Sequence, residues 1–328
     1  MSIRIGTRAS KLALTQTQQT ADQLAAVGGF PVELVHIKTE GDVRTGSLSQ
    51  MGGTGVFVAA LRDALLAETC DVAVHSLKDL PTGAAVGLSI AATPKRVDVR
   101  DVLCARDGLT LAELPGGAKV GTGSPRRAAQ LRAARPDIEV LDIRGNVDTR
   151  LGRVPGLPGN ATDEVVPGKS CDLDAVVLAA AGLERMDRLD TVSEFFETDV
   201  MLPAPGQGAL AIECRTEDAP QVEGSNGVLA QALAALNDDD TRLAVTAERA
   251  VLARLEAGCA APVGAYAFRK GSMLHLEAVV CAVDGTKTVR EKKATDGLTE
   301  VGATLLGIEV AELLLAAGAA EIADLAAS

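Results

Sequence analysis

The segment Ile3-Arg-Ile-Gly-Thr-Arg-Ala-Ser-Lys-Leu-Ala-Leu14 opens a strand-then-helix alternation that sets the fold class. Ile3–Gly6 reads as a short strand. Ser10 is placed to N-cap a helix running through Leu24, because a serine oxygen can accept from the free N–H groups that open a helix. The alternation continues outward. Val32–Ile37 reads as a strand, Val56–Ala67 as a helix with apolar residues at helical spacing, Asp71–His75 as a short buried strand and Leu88–Ala92 as another. This βαβα order predicts a mostly parallel, doubly wound sheet.

A second unit starts near Pro94. Val102–Ala105, Lys119–Gly121, Ile138–Ile143 and Ala175–Ala179 read as strands, with helices at Pro125–Ala134 and Ala180–Arg188. Val154–Asp172, rich in Pro and Gly, reads as a long surface loop. After Pro203-Ala-Pro205, Ala209–Cys214 reads as one more strand. From about Pro220 the character changes to helices at Gly227–Leu236 and Thr241–Leu255, strands at Val263–Phe268 and Met273–Val283, and an apolar helix at Val301–Ala316. This part reads as a separate α+β module, and no internal repeat is visible.

Composition narrows the function. The 328 residues carry a formal charge of −12 and only 2% aromatic residues. An acidic, aromatic-poor chain argues against nucleic acid, which asks for a basic face and stacking platforms, and against an anionic membrane surface. The amino terminus lacks a basic segment followed by an apolar one, so a cytoplasmic location is expected. The six cysteines lie far apart, without CxxC or Cys/His spacing, which excludes a zinc knuckle or disulfide scaffold and predicts no metal.

Local chemistry concentrates in four places. In Lys119-Val-Gly-Thr-Gly-Ser-Pro-Arg-Arg-Ala-Ala-Gln-Leu131, a strand ends in Gly121-Thr122-Gly123, Ser124 sits at an N-cap and Pro125 at the first helical position. Free N–H groups favour an anion there. Arg126 and Arg127 oppose the helix dipole, and a bound anion would offset their cost. The alternative is a helix start with solvated arginines. Arg144, past a strand end, and Arg150 extend a segment that is positive inside a negative protein. His75-Ser-Leu-Lys-Asp-Leu-Pro81 sets Lys78 and Asp79 at another strand end, to supply a cation and a carboxylate or simply to form a polar junction. Glu256-Ala-Gly-Cys-Ala-Ala-Pro262 places Cys259 in a Gly/Pro turn, a candidate for covalent chemistry. The other five cysteines fall within or beside apolar or strand-like segments. On these residues alone, a non-catalytic anion-binding protein and an unrelated thiol transferase stay open beside an enzyme built on Cys259.

Taken together, the chain closely resembles the porphobilinogen deaminase (hydroxymethylbilane synthase) family. The matching stretches are Gly6–Leu14, Ala73–Pro81, Gly121–Leu131, Leu141–Leu151, Ala180–Arg185, Leu202–Ala209 and Glu248–Gly264, in family order. The resemblance implies an α/β fold of two doubly wound, periplasmic-binding-protein-like domains plus a small C-terminal α+β domain. Their bounds are 1–95 with 201–220, then 96–200, then 221–328. It implies a monomeric transferase whose dipyrromethane cofactor is joined to Cys259 and whose substrate is porphobilinogen. Four substrates are added head to tail with loss of ammonia, and hydroxymethylbilane is released by hydrolysis. It further implies that Asp79, with Lys78, is catalytic, contacting pyrrole N–H groups and stabilising an azafulvene-type cation. Lys78, Asp79, Thr122, Ser124, Arg126, Arg127, Arg144 and Arg150 would hold the cofactor. Arg8, Ser10, Arg144, Arg150, Arg185 and Gln207 would meet the substrate. Two departures stand out: Thr54 and Ala59 replace lysines of better-known members, though Phe57 remains, and the Val154–Asp172 loop is long.

Overall fold

The structure is a computed structural model that describes residues 2–37, 55–158, 171–222, 227–258, 261–323 and 325. Its chain divides into two compact units, residues 1–97 with 209–246 and residues 98–208 with 247–328.

The first unit is built on β1 (Ile3–Thr7), α1 (Lys11–Gly28), β2 (Val32–His36), α2 (Gly55–Leu66), β3 (Val72–Ser76) and β4 (Leu88–Ala92). Ser10 caps α1, accepting the Ala13 N–H at 3.3 Å. A later strand, β10 (Leu210–Arg215), completes a five-stranded sheet in the order β2-β1-β3-β10-β4. β1 pairs in parallel with β2 and β3, whereas β10 runs antiparallel between β3 and β4. Four strands therefore share one direction and β10 alone is reversed. Ile3, Ile5, Leu24, Val72, Val74 and Ile212 form the core on one face, each large side chain contributing about 1.5–3 kcal/mol. The helix α6 (Val228–Leu236) sends Ala232 and Leu233 into this same core. Sequence character assigns that helix to the third module, but its apolar stripe is covered here.

The second unit repeats the pattern. It contains β5 (Asp101–Ala105), β6 (Lys119–Gly121), α3 (Pro125–Ala134), β7 (Glu139–Leu141), α4 (Val147–Leu151), β8 (Ala175–Ala179), α5 (Ala180–Arg185) and β9 (Glu194–Phe195). Its sheet order is β7-β6-β8-β5-β9, with β5 the reversed strand. The C-terminal part adds an antiparallel sheet of β11 (Val263–Lys270), β12 (Met273–Cys281) and β13 (Thr288–Thr295), backed by α8 (Glu300–Ala316) and α9 (Ala319–Ile322). The helix α7 (Asp239–Arg254) precedes this sheet. Gly264 of β11 approaches the Leu202 carbonyl so closely that a Cβ would lie 2.9 Å from its oxygen. Ala129, Leu202, Val279 and Cys281 pack together, which ties the sheet to α3.

Candidate functional site

In the first unit the chemistry begins where β3 ends. Leu77 and Leu80 are buried, and the Leu80 N–H donates to the Leu77 carbonyl at 3.1 Å, closing a 3-10 turn over Leu77–Asp79. The two leucines anchor the turn inward, leaving Lys78 and Asp79 half-buried between them. Asp79 lines a cavity of about 60 Å³ together with Arg8, Gln16, His75 and Ser76, over an apolar wall of Ala13, Val58, Leu61 and Val74. His75 is buried and set into the wall by Glu213, whose Oε2 lies 3.2 Å from its Nε2. Glu213 also accepts from Arg62 at 3.0 Å. Burial alone would raise the Glu213 carboxyl, but His75 and Arg62 hold its pKa below the usual value.

In the second unit, α3 begins as its sequence dictates. Gly123 runs so close to the Ile143 carbonyl that a Cβ would lie 2.5 Å from its oxygen. Ser124 is the N-cap, accepting the Arg127 N–H at 3.5 Å, while its own N–H donates to Thr122 Oγ1 at 3.3 Å. The two arginines of the first turn meet an anion from within the chain. Asp101 accepts from Arg126 Nη1 at 2.7 Å, Arg127 Nε at 2.9 Å and Gln207 Nε2 at 2.8 Å. Arg126 also donates to the Leu202 carbonyl at 2.6 Å and Arg127 to that of Val177 at 3.2 Å. Asp101, Arg126, Arg127 and Gln207 are all buried. Burial would push the Asp101 carboxyl up, but the two guanidinium groups hold it far below the usual carboxylate range. Sequence reading missed Asp101, because its partners lie 25 and 26 residues away along the chain.

Three further arginines keep more of their charge free. Arg144 is exposed and meets Asp142 at 3.2 Å. Arg150 donates to the Gly145 carbonyl at 2.9 Å, and Arg185 to that of Gly208 at 3.0 Å. Among the described residues neither Arg150 nor Arg185 has a carboxylate within ion-pair distance. Burial lowers both guanidinium pKa values to about 10, helped for Arg150 by neighbouring Arg127 and Arg144 and opposed by Asp142, and opposed for Arg185 by Glu184. Each is a half-buried cation whose protonated form an incoming carboxylate would stabilise. The long loop is pinned at its base by Arg153, which meets Asp172 at 2.5 Å and accepts the Leu173 N–H on its carbonyl at 3.2 Å.

Among solved structures the chain is similar to the methionine binding protein MetQ, at 12% identity and a TM-score of 0.40 over 71% of this chain and 89% of that one. It is 53% identical over 331 residues to a porphobilinogen deaminase of Thermobifida fusca, covering 99% of this chain and 97% of the relative. It is 55% identical over 338 residues to a porphobilinogen deaminase of Cutibacterium acnes, covering 100% and 98%. A family model described as "Porphobilinogen deaminase, dipyromethane cofactor binding domain" matches residues 3–223, and "Porphobilinogen deaminase, C-terminal domain" matches residues 242–316. The chain belongs to the porphobilinogen deaminase family.

The cofactor of this family is a dipyrromethane, and the matched binding domain contains the Asp79 cavity, Arg150 and Arg185. Four cysteines are poor candidates for attaching such a group. Cys70, Cys104, Cys214 and Cys281 are buried. Desolvation pushes the thiols of Cys70 and Cys104 to about 11 and that of Cys214 to about 12, so few thiolates form near neutrality. Cys171 departs from the expectation of an apolar setting and is exposed. Cys259 and Thr54 lie outside the described residues, and Ala59 is exposed on α2. Next to Cys259, the Ala261 N–H donates to the Gly258 carbonyl at 3.0 Å.

Proposed function

We propose that this chain is a porphobilinogen deaminase, a transferase that joins four porphobilinogens head to tail on a dipyrromethane primer, releasing ammonia and finally hydroxymethylbilane. The observation that carries the reading is the pair Arg150 and Arg185, half-buried cations without a carboxylate partner among the described residues of a protein of net charge −12. The primer, attached through Cys259, supplies the pyrrole chain that is extended. Its carboxylates would be held by Thr122, Ser124, Arg126, Arg127, Arg144 and Arg150. Substrate carboxylates would be met by Arg8, Ser10, Arg144, Arg150 and Arg185, with Gln207 nearby.

Asp79 is the group proposed for chemistry, with Lys78 beside it. A carboxylate at a cavity lip accepts pyrrole N–H groups and lowers the energy of positive charge that develops as the substrate's carbon–nitrogen bond breaks. Lys78 adds a cation for a carboxylate. The enzyme would work in the cytoplasm as a monomer. The same reading divides the chain into three domains, and the seat of α6 in the first core favours a third domain that opens later, within α7. Asp79→Ala is expected to lose nearly all ammonia release while its circular dichroism and melting curve stay unchanged. Turnover at the wild-type rate in that variant would contradict the role.

A further inference from the structure

The second unit contains a line of buried polar groups in which two carboxylates, Asp101 and Glu248, have no place among the ligand contacts above. It starts at Asp101, which is 0% exposed and gathers Arg126, Arg127 and Gln207. Gln207 also donates from Nε2 to the Val99 carbonyl at 2.8 Å, so its amide nitrogen is committed to β5 and the residues that lead into it. The preceding residue, Gly206, donates its N–H to Glu248 Oε2 at 2.6 Å. Glu248 lies on α7, is 0% exposed, and accepts the Ala267 N–H of β11 on its other oxygen at 2.8 Å. Gly206 and Gly208 have φ of 77° and 84°, a left-handed conformation that glycine takes at little cost. The turn is thereby shaped to aim one backbone N–H at Glu248 and the next side chain at Asp101.

Burying a carboxylate is costly unless its oxygens are satisfied. Here two such groups are joined through two consecutive residues, and the line leads from the guanidinium groups at the start of α3 to the last turns of α7. In the sequence those turns run directly into Gly258-Cys259. We propose that Asp101, Gln207 and Glu248 are positioning residues that fix Arg126 and Arg127 relative to the end of α7, so that a primer can reach its carboxylate contacts and its thiol together. This rests on the functional reading above. The three residues act through the groups they hold, and the rate of primer loading is the property they set.

The test uses the full-length chain made without a supply of porphobilinogen, then incubated with porphobilinogen while intact mass is followed. Gln207→Met cuts the link while Asp101 keeps both arginines and Glu248 keeps both N–H donors, so the variant is expected to fold cooperatively, with a melting temperature lowered by the loss of one buried donor. Its loading is expected to slow about ten-fold or more, because small displacements of reacting groups cost rate steeply. Glu248→Gln should slow loading by a similar factor, and the double variant should load no more slowly than the slower single one. Loading of Gln207→Met at the wild-type rate would overturn the bridge, as would a double variant whose defect is the product of the two single defects. Should Glu248→Gln fail to fold, the loading rate of Gln207→Met decides alone. A wild-type chain that never gains the mass of two linked pyrroles contradicts the functional reading itself, which is a different outcome from a wild type and variant that load equally.

Discussion

At the scale of single residues, the charges divide into those the protein satisfies itself and those it leaves for a ligand. Arg150 belongs to the second kind. Its pKa is lowered to about 10 by burial, so below that pH the folded state bears the cost of a cation with no carboxylate at ion-pair distance among the described residues. Arg150→Gln is therefore expected to weaken substrate or primer binding by about 1.5–3 kcal/mol, one charge-assisted hydrogen bond, while the melting temperature stays level or rises. Turnover kinetics and a thermal melt on one sample check both signs. Asp101 belongs to the first kind, and its folded pKa lies below the unfolded value near 4. Its stabilisation is then fully present above pH 4 and is lost as pH falls through the folded pKa. Asp101→Asn should cost about 3–5 kcal/mol at pH 7, as breaking a buried pair does, and should flatten the loss of stability expected of the wild type below pH 4. Urea titrations at pH 7 and pH 3 measure both. The positions of Arg126 and Arg127 at a helix start were legible from Ser124 and Pro125. Asp101 was not, because a pairing between β5 and α3 leaves no local pattern.

Elements with strong end signals were read closely, and those without them were not. The helix α3 runs over Pro125–Ala134, the same residues that cap and proline imply. The strand β13 was missed because Thr288-Val-Arg-Glu-Lys-Lys-Ala-Thr295 shows charge in place of apolar alternation. Its charges find partners across the fold, Arg290 with Glu277 at 2.7 Å and Lys293 with Glu309 at 2.8 Å. The end of α7 offers a test at this scale. Glu256 sits at φ 53°, with its N–H donating to the Ala253 carbonyl at 3.2 Å and the Ala257 N–H donating to that of Leu252 at 3.0 Å. This is a helix-terminating motif that usually places glycine at the left-handed position. Glu256→Gly is expected to stabilise the chain by about 1 kcal/mol, measured by denaturant unfolding. A loss of stability would show that the glutamate side chain contributes more than its backbone costs.

At the scale of the molecule, the two five-stranded sheets share one order, although no repeat is visible in the sequence. Each has four strands in one direction and a single reversed strand, β10 in the first unit and β5 in the second. The reversed strands are those by which the chain enters the second unit and returns to the first. Their places are set by pairings over long sequence separation, which periodicity cannot report. The parallel part of each sheet follows from local βαβ alternation and was legible. What the whole fold is proposed to do is hold a covalent dipyrromethane, and that claim has a direct measurement. Intact mass of the purified full-length chain, made with porphobilinogen present, should exceed the sequence mass by two linked pyrroles, and Cys259→Ala should remove the excess. A chain of unmodified mass, or a Cys259→Ala variant that keeps the excess, would contradict the account.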